Sequence, residues 1–212
     1  MNDSATLASL QARHLTSLQS AYDERLARLG VDGVLLYSGH PRCHFGDDQQ
    51  ASFAAYGHFM HWTGQADLAH SWLLIRPGQR PGLKVHAPDD FWHLPARLPD
   101  EPWVGAFDIE MSRDDAPPRL PAGRFAVLGD VSVGLCEALG ADRNPASLVA
   151  ALDEGRLRKS DYEIACLGEA NRQAMTGHRA AREAFLAGGA ELDIQLAYLG
   201  ASRQRETALP YA

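Results

Sequence analysis

Arg158-Lys159-Ser160-Asp161-Tyr162-Glu163-Ile164 is the stretch that divides this chain. Ser160-x-x-Glu163 has the form of a capping box: the serine hydroxyl accepts from an orphan helix N–H and the glutamate reaches back to the cap's own N–H. The spacing predicts a helix from that point. Behind it Ile164, Leu167, Ala170, Ala174, His178, Ala181 and Phe185 recur every three or four residues, an apolar stripe facing one way on a helix of period 3.6. Gly188-Gly189 supplies a residue free to take positive φ and close the helix. A shorter amphipathic run from Glu191 to about Ala201 is expected to lie back against the first. Ala190 stands where a serine or threonine cap belongs, a loss of about 1 kcal/mol, so this second helix is expected to fray.

Upstream, Leu7, Leu10, Leu15, Leu18, Tyr22, Leu26 and Leu29 form a helical stripe from Thr6 to Leu29, with Gly30 as the stop. Val34-Leu35-Leu36-Tyr37 reads as a buried strand ending at the turn Ser38-Gly39-His40-Pro41. Trp72–Ile75 and Leu83–His86, joined by a Pro- and Gly-rich turn, read as a β-hairpin. Phe107–Glu110 and Phe125–Gly129 are further strands, the second followed by short helices at Leu135–Leu139 and from Asn144-Pro145 to about Asp153. Strands alternating with helices indicate an α/β domain. Gly155 marks the joint, which makes the division 1–157 and 158–212.

With 212 residues, one full domain and a piece of a second is the natural division. A net charge of −7 without a basic stripe argues against a sequence-independent grip on nucleic acid, which needs clustered Lys and Arg. No apolar run approaches the ~20 residues of a bilayer span, and Met1-Asn2-Asp3-Ser4 lacks the basic and apolar regions of a signal peptide. No membrane partner and a cytoplasmic location are expected. Cys43, Cys136 and Cys166 are odd in number and widely spaced, so they read as buried free thiols rather than disulfides or a metal motif.

His58-x-x-His61 could present two imidazoles on one helix face, yet zinc needs three or four ligands and no Glu-bearing His-Glu-x-x-His motif accompanies the pair. Packing is the preferred reading there, and also for His178 on its apolar stripe. Gly129-Asp130-Val131-Ser132-Val133-Gly134 lacks the lysine and spacing of a phosphate loop, and no Gly-x-Ser-x-Gly elbow occurs. Asp114-Asp115 beside prolines reads as a solvated turn former. Phe91 reads as a member of an aromatic core.

Arg158-Lys159-Ser160, Glu163-Ile164, Glu169-Ala170-Asn171, Gly177-His178-Arg179-Ala180-Ala181, Glu183-Ala184-Phe185 and Glu191-x-x-Ile194 together resemble the entry to the catalytic domain of the pita-bread metallopeptidases. This is the family of methionine aminopeptidase, creatinase and prolidase. Ser38-Gly39, Phe45-Gly46-Asp47-Asp48, Ser71-Trp72-Leu73-Leu74 and Asp90-Phe91-Trp92-His93 are similar to bacterial Xaa-Pro dipeptidases, whose relatives include organophosphorus acid anhydrolases.

The resemblance implies an α/β, creatinase/prolidase-like N-terminal domain at 1–157, with a mixed sheet and flanking helices. Residues 158–212 would begin an incomplete pita-bread domain. It implies hydrolysis of dipeptides with C-terminal proline by a homodimer using two divalent ions, manganese, held by two aspartates, a histidine and two glutamates. Those ligands lie further on in the family, so the chain is expected to be truncated, to carry no metal or catalytic residue, and to be inactive alone. Three substrate-binding positions carry over: Asp48 at the mouth of the other subunit's site, Trp92 lining the small pocket, and Tyr211 at its edge, here without its surrounding strand. A non-catalytic dimerisation or peptide-binding module of the same fold, or an organophosphorus-hydrolysing relative, are the alternatives.

Overall fold

Val34, Leu35 and Leu36 are wholly buried because the strand they belong to, β1 (Gly33–Tyr37), has a neighbour on each edge and side chains packed on each face. It pairs antiparallel with β2 (Trp72–Ile75) and parallel with β5 (Phe125–Leu128). β3 (Gly82–His86) continues the sheet antiparallel to β2; β4 (Asp108–Ser112) and β6 (Asp142–Arg143) pair in parallel at the two edges. The order β4-β3-β2-β1-β5-β6 makes a mixed six-stranded sheet. This computed structural model describes residues 4–91, 98, 100–206 and 209. It divides into two units, Asp3–Arg158 and Lys159–Ala212.

Strand side chains alternate between faces, and β1 shows what each face meets. Val34 and Leu36 join the larger core, where α1 (Ser4–Leu29) lays down Leu15, Leu18, Tyr22 and Leu26 against Phe59, Trp62, Leu148 and Leu152. Leu35 and Tyr37 face a smaller cluster with Trp72, Val127, Val131 and Cys136. Each such buried side chain is worth roughly 1.5–3 kcal/mol relative to exposure. α2 (Gly57–Thr63) supplies Phe59 and Trp62, and α4 (Ala146–Gly155) supplies Leu148 and Leu152. Arg25 of α1 locks onto α4 through a 2.8 Å hydrogen bond to the Ala151 carbonyl. α3 (Val133–Leu139) is capped by Ser132, whose hydroxyl accepts from the Leu135 N–H.

The expected hairpin, central strands and α1 are present, and the strand expected at 107–110 runs 108–112. The sequence reading missed α2, β6 and a 3-10 turn at Pro102–Ala106. α2 has no side-chain cap, and β6 has two exposed residues, so neither carries a periodic signal. Two further expectations are corrected. Only Cys136 is buried; Cys43 and Cys166 are exposed. Phe91 is not in a core: it is 90% exposed.

In the second unit, α5 (Asp161–Leu186) begins at a complete capping box. Glu163 N–H donates to Ser160 Oγ at 3.3 Å, and Ser160 N–H donates to Glu163 Oε2 at 2.8 Å. Gly188, at φ 81, turns the chain, and Gly189 N–H closes on the Ala184 carbonyl. α6 (Glu191–Ser202) starts without a serine, but the Asp193 carboxylate accepts the Ala190 N–H at 2.9 Å. Half of a capping box therefore remains, and the helix still begins at Glu191. The two helices meet where Gly177 has no Cβ; one placed there would lie 2.7 Å from the Tyr198 ring. His178 meets Tyr198 edge-on, centroids 5.1 Å apart, although it is itself exposed. Other members of the predicted stripe are exposed too: Ile164, Leu167 and Phe185 are all more than half exposed.

Candidate functional site

Two buried serines fix the ends of three strands. Ser38, just after β1, donates its N–H to the Ser71 carbonyl at 2.9 Å and accepts the Ser71 N–H on its hydroxyl at 2.8 Å. Ser71 Oγ in turn accepts the His86 N–H at the end of β3. A serine suits both positions because its hydroxyl can donate and accept at once, where a buried unpaired backbone N–H would cost about 1–3 kcal/mol. The segments leaving β1 and β3 therefore start from one end of the sheet, at fixed points.

The first of these segments is a short ribbon. Cys43 bridges Gln50, His44 N–H donates to the Gln49 carbonyl, and Ala51 N–H donates to Arg42. At its tip Asp47 N–H closes a turn on the His44 carbonyl with Gly46 at φ 74, a conformation that favours glycine. Asp47 Oδ1 accepts the Gln49 N–H at 2.9 Å, and that bond, with a contribution from Asp48, holds the Asp47 carboxyl below the usual carboxylate range. Phe45 stands fully in solvent on this finger, and Asp48 is exposed beside it. Beneath it lies a hollow of about 310 Å³ lined by Ser38, His40, Arg42, Phe53, Tyr56 and Asp130, with Arg42 paired to Asp130 across it.

At the same end of the sheet Tyr37, His40, His70, His86 and Asp115 converge. The Tyr37 hydroxyl lies 3.3 Å from His40 Nδ1 and 3.4 Å from His70 Nδ1, and the latter is 3.4 Å from Asp115 Oδ2. Burial, helped by the Asp115 and Asp130 carboxylates, pushes the Tyr37 phenol up to about 12. Burial and the neighbouring His86 push His70 down, against the pull of Asp115. Asp114 and Asp115 thus do more than form a solvated turn. Asp114 accepts from Lys84 at 2.7 Å, and the Asp115 carbonyl accepts the Trp72 indole N–H at 2.8 Å.

A larger groove, about 690 Å³, lies elsewhere, floored by Trp62, Trp103 and Phe107 beside α1. Its polar groups serve the fold: Asp23 accepts from Gln19 and from the Gly78 N–H, and Arg80 pairs with Asp108. The finger end of the sheet is the better site because exposed charge and clustered imidazoles meet there.

His58 and His61 point to different partners. His58, 2% exposed at its side chain, lies 2.9 Å from Asp153 through Nε2 and 3.4 Å from the Tyr22 hydroxyl through Nδ1, while the His61 ring meets His14. Burial, then the Arg156 charge, lowers the His58 pKa against the pull of Asp153. As pH falls below about 6.5, the unfolded chain takes up this proton before the folded one. The contribution is therefore intact above that pH and is lost as pH falls toward the depressed folded value. Melting temperature is expected to drop between about pH 7.5 and 5.5, and the drop to shrink in His58→Gln. An equal drop in the variant would remove His58 as its cause.

Of the three expected substrate-binding residues, Asp48 is placed on the exposed finger, whereas Trp92 and Tyr211 lie outside the described residues. The Tyr37, His40, His70 and Asp115 cluster was not foreseen. Tyr37 and His40 are close in sequence, but His70 and Asp115 are far from them and from each other, and the pairing of β1 through β4 brings them together.

The described residues form a mixed six-stranded α/β unit that sends two segments from one end of its sheet, followed in sequence by a helix pair. The chain belongs to the family described as Xaa-Pro dipeptidase, N-terminal domain, whose model matches residues 9–153. It is 46% identical over 206 residues to the Xaa-Pro dipeptidase of Marinobacter nauticus, covering 97% of this chain and 48% of that protein. It is 37% identical over 210 residues to that of Pseudoalteromonas atlantica, covering 97% and 47%. The chain thus spans about half the length of the curated relatives it matches. The prolidase structure from Pyrococcus horikoshii aligns at 16% identity and a TM-score of 0.47, over 79% of this chain and 42% of that one. Among the described residues no helix is long and apolar enough to cross a membrane.

Proposed function

We propose that this chain is the N-terminal part of a cytoplasmic, metal-dependent dipeptidase that hydrolyses dipeptides with C-terminal proline. The observation that carries the reading is the alignment of 97% of the chain with the Marinobacter dipeptidase at 46% identity. The exposed finger supports it. Asp48 there could hold a dipeptide's ammonium group by a charge-assisted hydrogen bond, and exposed Phe45 beside it offers an apolar contact to the second subunit of a homodimer. The helix pair supports a continuing catalytic domain, since Ile164, Leu167, Met175 and Phe185 expose apolar surface that such a domain would cover.

Four of the acidic groups of Asp3–Arg158 do not suit the two manganese ions of the proposed enzyme. Asp89, Asp114, Asp130 and Asp142 face Arg113, Lys84, Arg42 and Arg124, which leaves no carboxylate pair among them to share between two ions. The ions belong, in this proposal, to the half of the relatives' length that the chain does not span. This chain contributes dimerisation and a lip that limits the site to dipeptides.

Residues 1–212 alone are expected neither to retain manganese nor to cleave Ala-Pro; joined to the remaining half, the protein should release proline from Ala-Pro and spare longer peptides. Turnover by 1–212 that survives removal of any longer enzyme would overturn the division of labour. Failure of the joined, folded, manganese-loaded protein on every Xaa-Pro dipeptide would overturn the substrate.

A further inference from the structure

We propose that His40, His70 and His86 form a binding site for zinc or another late first-row divalent ion, tying together the roots of the segments that carry Asp48 and lead to Trp92. The three imidazoles come from three strand ends. His40 lies three residues beyond the end of β1, His70 two before the start of β2, and His86 is the last residue of β3. Ring centroids are 5.6 Å apart for His40 and His70, stacked, and 5.1 Å for His70 and His86, edge to face. A tetrahedral zinc ion with Zn–N of about 2.1 Å holds neighbouring imidazole centroids about 5 Å apart. Two of the three ring pairs, both involving His70, already lie near that spacing.

The surroundings are those of a ligand histidine. Metal-bound imidazoles usually give their other ring N–H to a carboxylate, which fixes tautomer and orientation. Asp115 Oδ2 stands 3.4 Å from His70 Nδ1 in that role, with the Tyr37 hydroxyl 3.4 Å from the same nitrogen. With the proton on Nδ1, the lone pair of His70 lies on Nε2. His70 is also held at φ 55, rare outside glycine, by its N–H donating to the Gly39 carbonyl at 2.7 Å. A strained backbone that its neighbours hold in place is a mark of a functional position. The nitrogens do not yet meet at one point. Exposed His40 and half-buried His86 must turn about their side-chain torsions to close the site, with water as the fourth ligand.

Imidazole donors favour zinc, nickel and copper, and manganese lies lowest in the affinity order. The site lies wholly within Asp3–Arg158 and needs no substrate, so its test can fail while the dipeptidase reading stands, and the reverse.

Metal-stripped 1–212 is titrated with zinc by calorimetry, and with cobalt(II) while its visible absorption is recorded. One zinc per chain is expected, with Kd at or below about 10 µM and a tetrahedral cobalt spectrum. His70→Asn and His86→Phe should each weaken binding at least about tenfold, with folding checked by circular dichroism. His86→Gln is the milder substitute if His86→Phe does not fold. His44→Gln, on the finger outside the cluster, should leave Kd within about twofold, and zinc should slow hydrogen exchange across 38–51. The proposal falls if zinc at about 100 µM does not bind stoichiometrically, or if the affinity survives both His70→Asn and His86→Phe. It also falls if His14→Gln abolishes binding instead, which would place the ion at the His14–His61 pair.

Discussion

Gly129→Ala is expected to destabilise the Asp3–Arg158 unit by about 3–5 kcal/mol, a large share of the 5–15 kcal/mol that typically holds a domain folded. Gly129 follows β5 at φ 124, a region that side-chain-bearing residues rarely enter, and an added Cβ would stand 2.8 Å from the Tyr37 carbonyl oxygen. That oxygen belongs to β1, the sheet's central strand, so it cannot move without disturbing both neighbours. Asn144 holds the turn from the other side: its Oδ1 accepts the Gly129 N–H and its Nδ2 donates to the Gly129 carbonyl, each at 2.9 Å. Urea unfolding should show the midpoint falling sharply, with low soluble yield. Gly46→Asn is the matched control, because Gly46 also has positive φ, 74, but open space around its Cβ position. Asparagine tolerates that region, and a cost below about 1 kcal/mol is expected. A Gly129→Ala midpoint equal to that of the parent would show that the contact with Tyr37 does not constrain the fold.

Gly129 also shows why parts of the fold were legible and others were not. The sequence around it could be excluded as a phosphate loop because that motif is local and complete in one segment. The capping box at Ser160 and the buried run Val34–Leu36 were readable for the same reason: their physics lies within a few residues. The contacts that give Gly129 its role come from Tyr37 and Asn144, and no periodicity connects those positions. The same holds for His40, His70, His86 and Asp115, which only strand register assembles. α2 was missed because seven residues with no side-chain cap give too short a pattern, although Phe59 and Trp62 at i, i+3 were its trace. The apolar stripe of α5 was read correctly as a pattern but not as a contact: α6 packs at Gly177, and Ile164, Leu167 and Phe185 face solvent. Phe91 fails more simply, since an aromatic next to Asp90 is equally at home on a surface.

Asp48→Ala, in a protein that joins this chain to the remaining half of its relatives' length, is expected to lower kcat/KM on Ala-Pro roughly 30- to 150-fold. That is the loss of about 2–3 kcal/mol when a charge-assisted contact to a buried ammonium is removed. Melting temperature should stay within about 2 °C of the parent, as for surface changes away from caps and cores. The structural reason is that the finger is closed by other groups: the Cys43–Gln50 bridge, the turn at Gly46, and the Asp47 carboxylate on the Gln49 N–H. Asp48 itself is exposed and has little packing to lose. Asp47→Ala provides the contrast, since it removes the bond that shapes the tip and should loosen the finger as well as reduce turnover. Asp48→Asn keeps the size and hydrogen-bonding shape but not the charge. If the carboxylate holds an ammonium group, the asparagine variant should recover less than about a tenth of the lost kcat/KM. A variant in which Asp48→Ala melts many degrees lower while each folded molecule keeps its turnover would assign Asp48 to the architecture of the finger, and the dipeptide contact would have to come from another residue.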